Sequence, residues 1–426
     1  MADQQLSRTI SLPQGVALYL GAVIGAGVLI LPGASATVAG PAALVAWTFN
    51  SVLGIPLALT FAGMASRIPD AGGAATYAAR AFGETTGAIV GWFYFVGAAT
   101  AQTAVALTGA YYAGPYLGLG RGEVFGLAAV ILVIATASNA RGLKVSGRLQ
   151  LLFSAAVALL LVLAIVVAVP HMTAAHWTPF APHGVGAIGR AAVLVFFAFF
   201  GWEAITHLSE EFRDPARDVP RSTIIAVGLI TALFAGVVVV TVGTGTFGSD
   251  EVNRTVIARL LGDSLGRAAG VTAAAIALFI ALGTANAFVA ATSRLGYALA
   301  RDGVAPKLLG SVNRRSVPLP SVLVVGGYTG VCLLASYLAG WGPEQILVVP
   351  NALVILTYIS AMAAGVKLLT GARRVLAVVA AVLCLALLPF AGWALLIPAG
   401  VGLITLVYLK RVRPAGRRAE FDRVKG

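Results

Sequence analysis

Apolar runs longer than the roughly 18 residues that a helix needs to cross a bilayer recur from Leu12 to Leu409. Hydrocarbon offers a backbone no water to bond, so runs of this length cross as helices, whose N–H and C=O groups pair within the segment. Of the 426 residues 59% are hydrophobic and 11% charged, where a soluble domain carries about 25% charged. The chain therefore reads as an all-α polytopic membrane protein, with no room between spans for a sizeable soluble domain. Hydropathy places twelve spans, at about 13–36, 41–64, 86–114, 122–140, 148–169, 187–208, 221–245, 266–299, 318–339, 345–368, 373–389 and 392–410. The first run lacks a small-residue cleavage pattern and is read as a retained span, not a signal peptide.

Charge supports that count. Twelve spans place both termini on one side, and if that side is the cytoplasm the inner segments hold twenty-four Lys and Arg against five outside, Arg121, Arg190, Arg254, Arg259 and Arg267. This is the asymmetry by which basic loops are retained in the cytoplasm, and it explains the net charge of +13 without nucleic acid. A single domain over 1–410 and a basic cytoplasmic tail over 411–426 are expected. The tail is either a solvated flank of the last span or a contact with anionic membrane lipid. Cys332 and Cys384 each sit mid-run and read as small hydrophobes. His171, His176 and His183 share one outer segment at irregular spacing, poor for a metal site, and no metal or cofactor is expected.

Two interruptions stand out. The first span contains Ile24-Gly25-Ala26-Gly27, and glycines there serve either an unwound helix lining a cavity or close packing against a neighbour. Five spans later, Phe197-Ala198-Phe199-Phe200-Gly201-Trp202-Glu203 sets a glycine beside an acid. That offset suggests a repeat, because in transporters built as inverted repeats the first helix of each is discontinuous and its half-helix N–H groups face anionic substrate groups. Glu203 is the one acid well inside a span, where a carboxylate costs at least about 2.5–3.5 kcal/mol unless compensated. Either it carries a proton, coupling transport to pH, or it accepts hydrogen bonds from unwound backbone.

These residues, with Pro69-x-x-Gly72-Gly73-x-x-x-Tyr77 and Glu210-Glu211-Phe212-Arg213-Asp214-Pro215-x-Arg217-x-Val219-Pro220-Arg221, resemble the amino acid, polyamine and organocation superfamily over nearly the whole chain. Gly201-x-Glu203-Ala204-x-x-His207-Leu208, Asn351-Ala352, Arg374 to Val379 and Gly392-Trp393 are most similar to the bacterial exporters of L-methionine and branched-chain amino acids. The resemblance implies two inverted five-helix repeats, about 13–169 and 187–368, with discontinuous helices 1 and 6 and two peripheral helices over about 373–410. It implies that Ile24, Gly25, Ala26 and Gly27 hold a substrate carboxylate. The carbonyls around Phe197, Phe199, Phe200 and Gly201 would take its amino group, with Phe197 as a gate. Thr100 and Thr103, with Gln102 between them, stand where relatives line the pocket, as do Thr284, Asn286 and Phe288; Asn351 is a further candidate. The alternative for each is an interhelical hydrogen bond, worth about 0.6 kcal/mol on average in membranes.

With no Lys or Arg in the core, neutral hydrophobic amino acids such as methionine, leucine, isoleucine and valine fit best. Some relatives carry a lysine in span five that stands in for sodium, whereas this chain offers Val157. A proton on Glu203, sodium near the span-one break and Thr284, or exchange remain open as the driving mode. Charges at Arg67 to Arg80 and at Glu210, Glu211 and Arg213 could pair as an inner gate, each exposed pair worth about 0–1 kcal/mol. A membrane enzyme would need a reactive constellation, and the sequence has no His-Glu-x-x-His, P-loop or paired mid-membrane carboxylates. The expectation is a secondary transporter of the plasma membrane, working as exporter, importer or exchanger, with a transport-inactive sensor as the rival.

Overall fold

The computed structural model describes residues 10–68, 73–142, 147–203, 212–313 and 317–412. The first apolar run does not form one helix. Helix α1 (Leu12–Val23) stops where Ile24 turns to φ −78°, ψ 70°, and α2 (Gly27–Ala39) starts again beyond it. Then follow α3 (Ala43–Ala65), α4 (Ala74–Phe82), α5 (Glu84–Leu117), α6 (Arg121–Ala140) and α7 (Gly147–Ala168). The second half opens in the same way. Helix α8 (Gly184–Val195) tightens into a 3-10 turn over Phe196–Phe199 and ends as Phe200 becomes extended. Next come α9 (Pro215–Thr244), α10 (Asp250–Asn253), α11 (Val256–Leu265), α12 (Arg267–Arg301), α13 (Leu319–Ala339), α14 (Pro343–Ile346) and α15 (Val348–Leu368). Helices α16 (Ala372–Leu385), α17 (Leu388–Ala391) and α18 (Leu396–Val412) close the chain.

The two halves pack as counterparts. Helix α3 lies on α8 as α9 lies on α1, and α15 on α5 as α7 on α12. The short α4 rests on α5 and α15, and its equivalent α11 rests on α12 and α7. Five crossings are an odd number, so the second repeat enters the membrane from the side opposite the first, which makes the repeats inverted. In lipid such packing draws on close contact and interhelical hydrogen bonds rather than on expulsion of water. Trp47 illustrates both: its ring lies 5.2 Å from that of Phe234 and 6.1 Å from that of Phe199, and its Nε1 donates to Ser35 Oγ at 2.9 Å.

Nine helical stretches among the described residues are long and apolar enough to cross a membrane. Gly27–Ala65 carries the end of the first crossing and all of the second, Ala372–Val412 carries the last two, and the broken sixth appears as the shorter Gly184–Phe199. Expected and observed crossings thus correspond. Helices α4 and α11, nine and ten residues long, escape a search for spans because neither can cross. Helix α9 begins at Pro215 rather than near 221, with Asp214 accepting from Arg217 N at 3.2 Å and proline in its first turn. Pro69, Gly72, His207, Glu210, Glu211 and the tail beyond Val412 lie outside the described residues.

Candidate functional site

The two interruptions meet. A Cβ on Gly27 would sit 3.2 Å from Phe197 Cδ1 and 3.4 Å from the Cα of Ala198, so glycine lets the start of α2 approach the unwound stretch after α8. Both sequence readings of this glycine therefore apply, a break and a close contact. At the start of α2 the first N–H groups have no acceptor within their own helix, and they carry the positive end of its dipole. On the other side, Gly201 takes φ 127°, a conformation that a side chain would strain.

Between the breaks is a cavity of about 140 Å³, smaller than the roughly 300–1,000 Å³ of drug-sized sites and suited to a small molecule. Gly21 and Ile24 form one wall, Phe200, Gly201 and Glu203 another, and Tyr94 of α5 a third. Ser154 and Val157 of α7 face Thr284, Ala287 and Phe288 of α12 across it. Phe288 stacks on Phe200 with ring centroids 5.6 Å apart, and Tyr94 leans on the same ring at 5.5 Å. The surroundings are apolar and aromatic, with Glu203 the acid among the lining residues.

Glu203 is buried. Its Oε1 accepts from Tyr94 Oη at 2.8 Å, and its Oε2 accepts from Gly201 N at 3.2 Å and from the hydroxyl of Tyr358. Gly201 N also donates to Tyr358 Oη at 3.3 Å. These donors are neutral, and a set of donors converging on both oxygens suits the ionised carboxylate. The positive φ open to Gly201 turns its N–H towards the acid two residues on. Tyr358 is fixed in turn by edge-on contacts with Phe61 at 5.3 Å and Phe196 at 5.6 Å.

Not every candidate from the sequence reaches the cavity. Ile24, Phe200, Gly201, Glu203, Thr284 and Phe288 line it. Gly25 backs it, with Thr284 Cγ2 3.7 Å from where a Cβ would lie, and Ala26 is buried behind the break. Phe197 is buried against Gly27 and Phe200. Phe199 instead turns away to Trp47 and Phe234. Thr100 bonds Tyr328 Oη at 2.9 Å and Thr103 the carbonyl of Thr329 at 3.3 Å, so both face α13. Gln102 donates to Thr292 Oγ1 at 3.3 Å, and Asn286 accepts from Asn139 of α6 at 2.9 Å. Asn351 donates to the carbonyl of Leu194 at 3.3 Å, supporting the end of α8. In each case the polar group satisfies a neighbouring helix. His171 and His176 lie near the carbonyls of Val167 and Gly243, at 3.0 and 2.8 Å. Arg213 joins the first described residue through its N–H to the carbonyl of Ile10 at 3.0 Å.

Tyr94 and Tyr358 were not anticipated as site residues. Each is a tyrosine in a crossing helix rich in apolar residues, and its hydroxyl was the available signal, since a buried phenol needs a partner.

Residues 10–424 match the amino acid permease family. The chain is 36% identical over 424 residues to an uncharacterized amino acid permease, YecA, of Bacillus subtilis, covering 99% of both chains. It is 29% identical to the L-methionine/branched-chain amino acid exporter YjeH of Escherichia coli, over 94% of this chain and 96% of that one. It is 27% identical to the branched-chain amino acid permease BcaP of Lactococcus lactis, over 79% of each. These relatives are transporters or permeases and not enzymes. With its inverted repeats, its paired breaks and this coverage, the chain belongs to the amino acid permease family and is a multi-pass membrane transporter of the amino acid, polyamine and organocation superfamily.

Proposed function

We propose that this transporter exports neutral hydrophobic amino acids, methionine, leucine, isoleucine and valine, across the bacterial plasma membrane by alternating access coupled to protons, with both termini in the cytoplasm. The observation that carries the reading is the cavity between the two breaks, apolar on most sides and holding one acid, Glu203. A cationic or dicarboxylate side chain finds no matching set of partners there, while Val157, Ile280, Ala287 and Phe288 suit an aliphatic or thioether one. The names of YjeH and BcaP support the same substrate class.

In this reading the N–H groups of Ala26 and Gly27 receive the substrate carboxylate, as a half-helix start is suited to do, beside Gly25, whose own N–H bonds the Val23 carbonyl at 2.8 Å. The carbonyls of Phe197 to Phe200 receive its ammonium group, and Phe197 closes over it. Thr284 and Phe288 bound the side chain. Glu203 carries the proton. When Tyr94, Tyr358 and Gly201 all donate to it the carboxylate is stabilised, and a rearrangement of the break that withdraws donors favours protonation. Val157 leaves that wall without a fixed cation, which suits either ion, so the assignment of a proton rests on Glu203. Sodium near the span-one break is the competing arrangement.

Proteoliposomes preloaded with labelled methionine or leucine test the proposal. Efflux should accelerate when the outside is made acidic, stay unchanged with an imposed sodium gradient, and lose its response to acid in Glu203→Gln. Efflux that needs external amino acid and ignores both gradients would establish exchange. Uptake driven by the proton gradient, with no stimulated efflux, would reverse the assigned direction.

A further inference from the structure

A second cavity, of about 850 Å³, lies away from both breaks, between α6 and α13. It runs from Gly122 and Tyr337 at one end to Arg141 at the other, and Thr136 is its one further polar side chain. The two helices pack against each other, and two contacts bound the groove. A Cβ on Gly326 would come within 2.6 Å of Thr136 Cγ2, and the rings of Phe125 and Tyr337 meet at 5.3 Å. Arg121 closes that second contact. It donates to the Tyr337 carbonyl at 2.7 Å, and its guanidinium lies 4.8 Å from the Tyr337 ring and 5.1 Å from that of Phe125. Between these contacts the surface is hollow, since Cβ atoms on the lining glycines Gly327 and Gly330 would meet nothing within 4 Å.

The dimensions decide what fits. Gly122 to Arg141 on α6 covers about 29 Å at 1.5 Å per residue, the full hydrocarbon thickness of about 30 Å. A volume of about 850 Å³ over that length leaves a mean cross-section of ~30 Å². A helix from a second copy, about 10–12 Å across, is wider than that and would rest on the groove's open side rather than enter it. A hydrocarbon chain is the narrower occupant. At one end the exposed Arg141 contributes a positive charge next to the start of α13, where Gly142 sits against Val317. That charge is complementary to a phosphate at the level of the headgroups.

We propose that this groove binds an anionic phospholipid of the leaflet on the Arg141 side, with an acyl chain against Gly327 and Gly330 and its phosphate at Arg141. Gly327 and Gly330 lie about 12 and 16 Å along α13 from its start, within the depth of one leaflet. The site is joined to the transport cavity through polar side chains. Thr100 links α5 to α13 through Tyr328 at 2.9 Å, and Asn139 links α6 to Asn286 of α12 at 2.9 Å. Helices α5 and α12 carry Tyr94, Thr284 and Phe288 to the cavity. A chain seated between α6 and α13 thereby sets the spacing of the helices that hold them, and transport depends on that lipid.

The test is native mass spectrometry of the full-length protein in mild detergent, titrated with phosphatidylglycerol or with phosphatidylethanolamine of the same acyl chains. The wild type should retain phosphatidylglycerol at least fivefold better. Arg141→Gln should lower that preference about fivefold, one surface charge being worth that much, and leave phosphatidylethanolamine retention unchanged. Gly327→Leu with Gly330→Leu should reduce retention of both lipids at least tenfold while the protein stays monodisperse. Gly327→Ala, whose methyl enters open space, should give a partial loss and guards against misfolding of the larger variant. In vesicles of phosphatidylethanolamine alone, wild-type transport should fall and recover when phosphatidylglycerol is added. Equal retention of the two lipids by wild type and Arg141→Gln would overturn the proposal. So would a dimer that forms without lipid and is lost in the leucine variants, which would make the groove a protein interface.

Discussion

Tyr358→Phe removes one hydroxyl and little else. The ring contacts with Phe61 and Phe196 survive in phenylalanine, while the donor to Glu203 Oε2 and the acceptor for Gly201 N disappear. A hydrogen bond to a charged group is worth about 1.5–3 kcal/mol and one between neutral groups about 0.5–1.5. Tyr94 and Gly201 N still donate to the carboxylate, so the expected loss lies at the low end, about 1.5–2 kcal/mol. In a Glu203→Gln background the partner is neutral, and the same change should cost about 0.5–1 kcal/mol. The double-mutant cycle therefore predicts a coupling of about 1 kcal/mol between Tyr358 and Glu203. Unfolding in graded SDS–detergent mixtures, for the four proteins at neutral pH, reads it directly. A coupling under about 0.3 kcal/mol, within ordinary additivity error, would refute the view that Tyr358 holds Glu203 as a carboxylate in this conformation.

Gly201→Ala places a side chain at φ 127° and should destabilise the protein by about 1–3 kcal/mol and abolish transport. Gly228→Ala, inside α9 with open space around the new methyl, should instead stabilise by up to about 1 kcal/mol; the two should move the unfolding midpoint in opposite directions. Ala287→Leu extends a side chain into a cavity of about 140 Å³, so binding of leucine should fall at least tenfold more than binding of alanine, measured by calorimetry. Arg254 bonds Glu344 at 2.8 Å and Asp250 at 2.9 Å and lies 4.6 Å over the ring of Tyr111, tying α10 to α14 and α5. Removing it in Arg254→Ala leaves Glu344 unpaired, at a cost of about 2 kcal/mol, below the 3–5 of a fully buried pair because both groups keep some solvent. The paired change Arg254→Met with Glu344→Leu should recover most of that loss in the same unfolding assay.

The membrane fold was legible in the sequence because hydrocarbon imposes helices and because apolar runs of crossing length recur along the chain. Its first break was legible because glycine at 25 and 27 weakens a helix, and its second because an acid at 203 has no business in lipid without compensation. The facing of buried helices was not. Helix α5 is buried on most of its surface, so its apolar pattern has no preferred side, and Thr100 and Thr103 looked as suited to a pocket as Tyr94. Polar groups in lipid seek any partner, and Thr100, Thr103, Asn286 and Asn351 found theirs on adjacent helices. Tyr94 and Tyr358 were hidden by the opposite ambiguity, since an aromatic ring in a crossing helix reads as packing until its hydroxyl is seen to reach Glu203. Helices α4 and α11 went unnoticed because they lie within what hydropathy scores as loops.

In the proposed transport cycle the cavity between the breaks holds an amino acid by its carboxylate at the start of α2 and its side chain toward α12. Crystals of the protein with ordinary methionine, soaked in L-selenomethionine, test it through the anomalous signal of selenium. The account predicts one ligand peak between Val157 and Phe288, with the ligand carboxylate at Gly25 to Gly27, and loss of the peak in Ala287→Leu. A selenium peak elsewhere, or one at the predicted place that persists with Ala287→Leu, would contradict it.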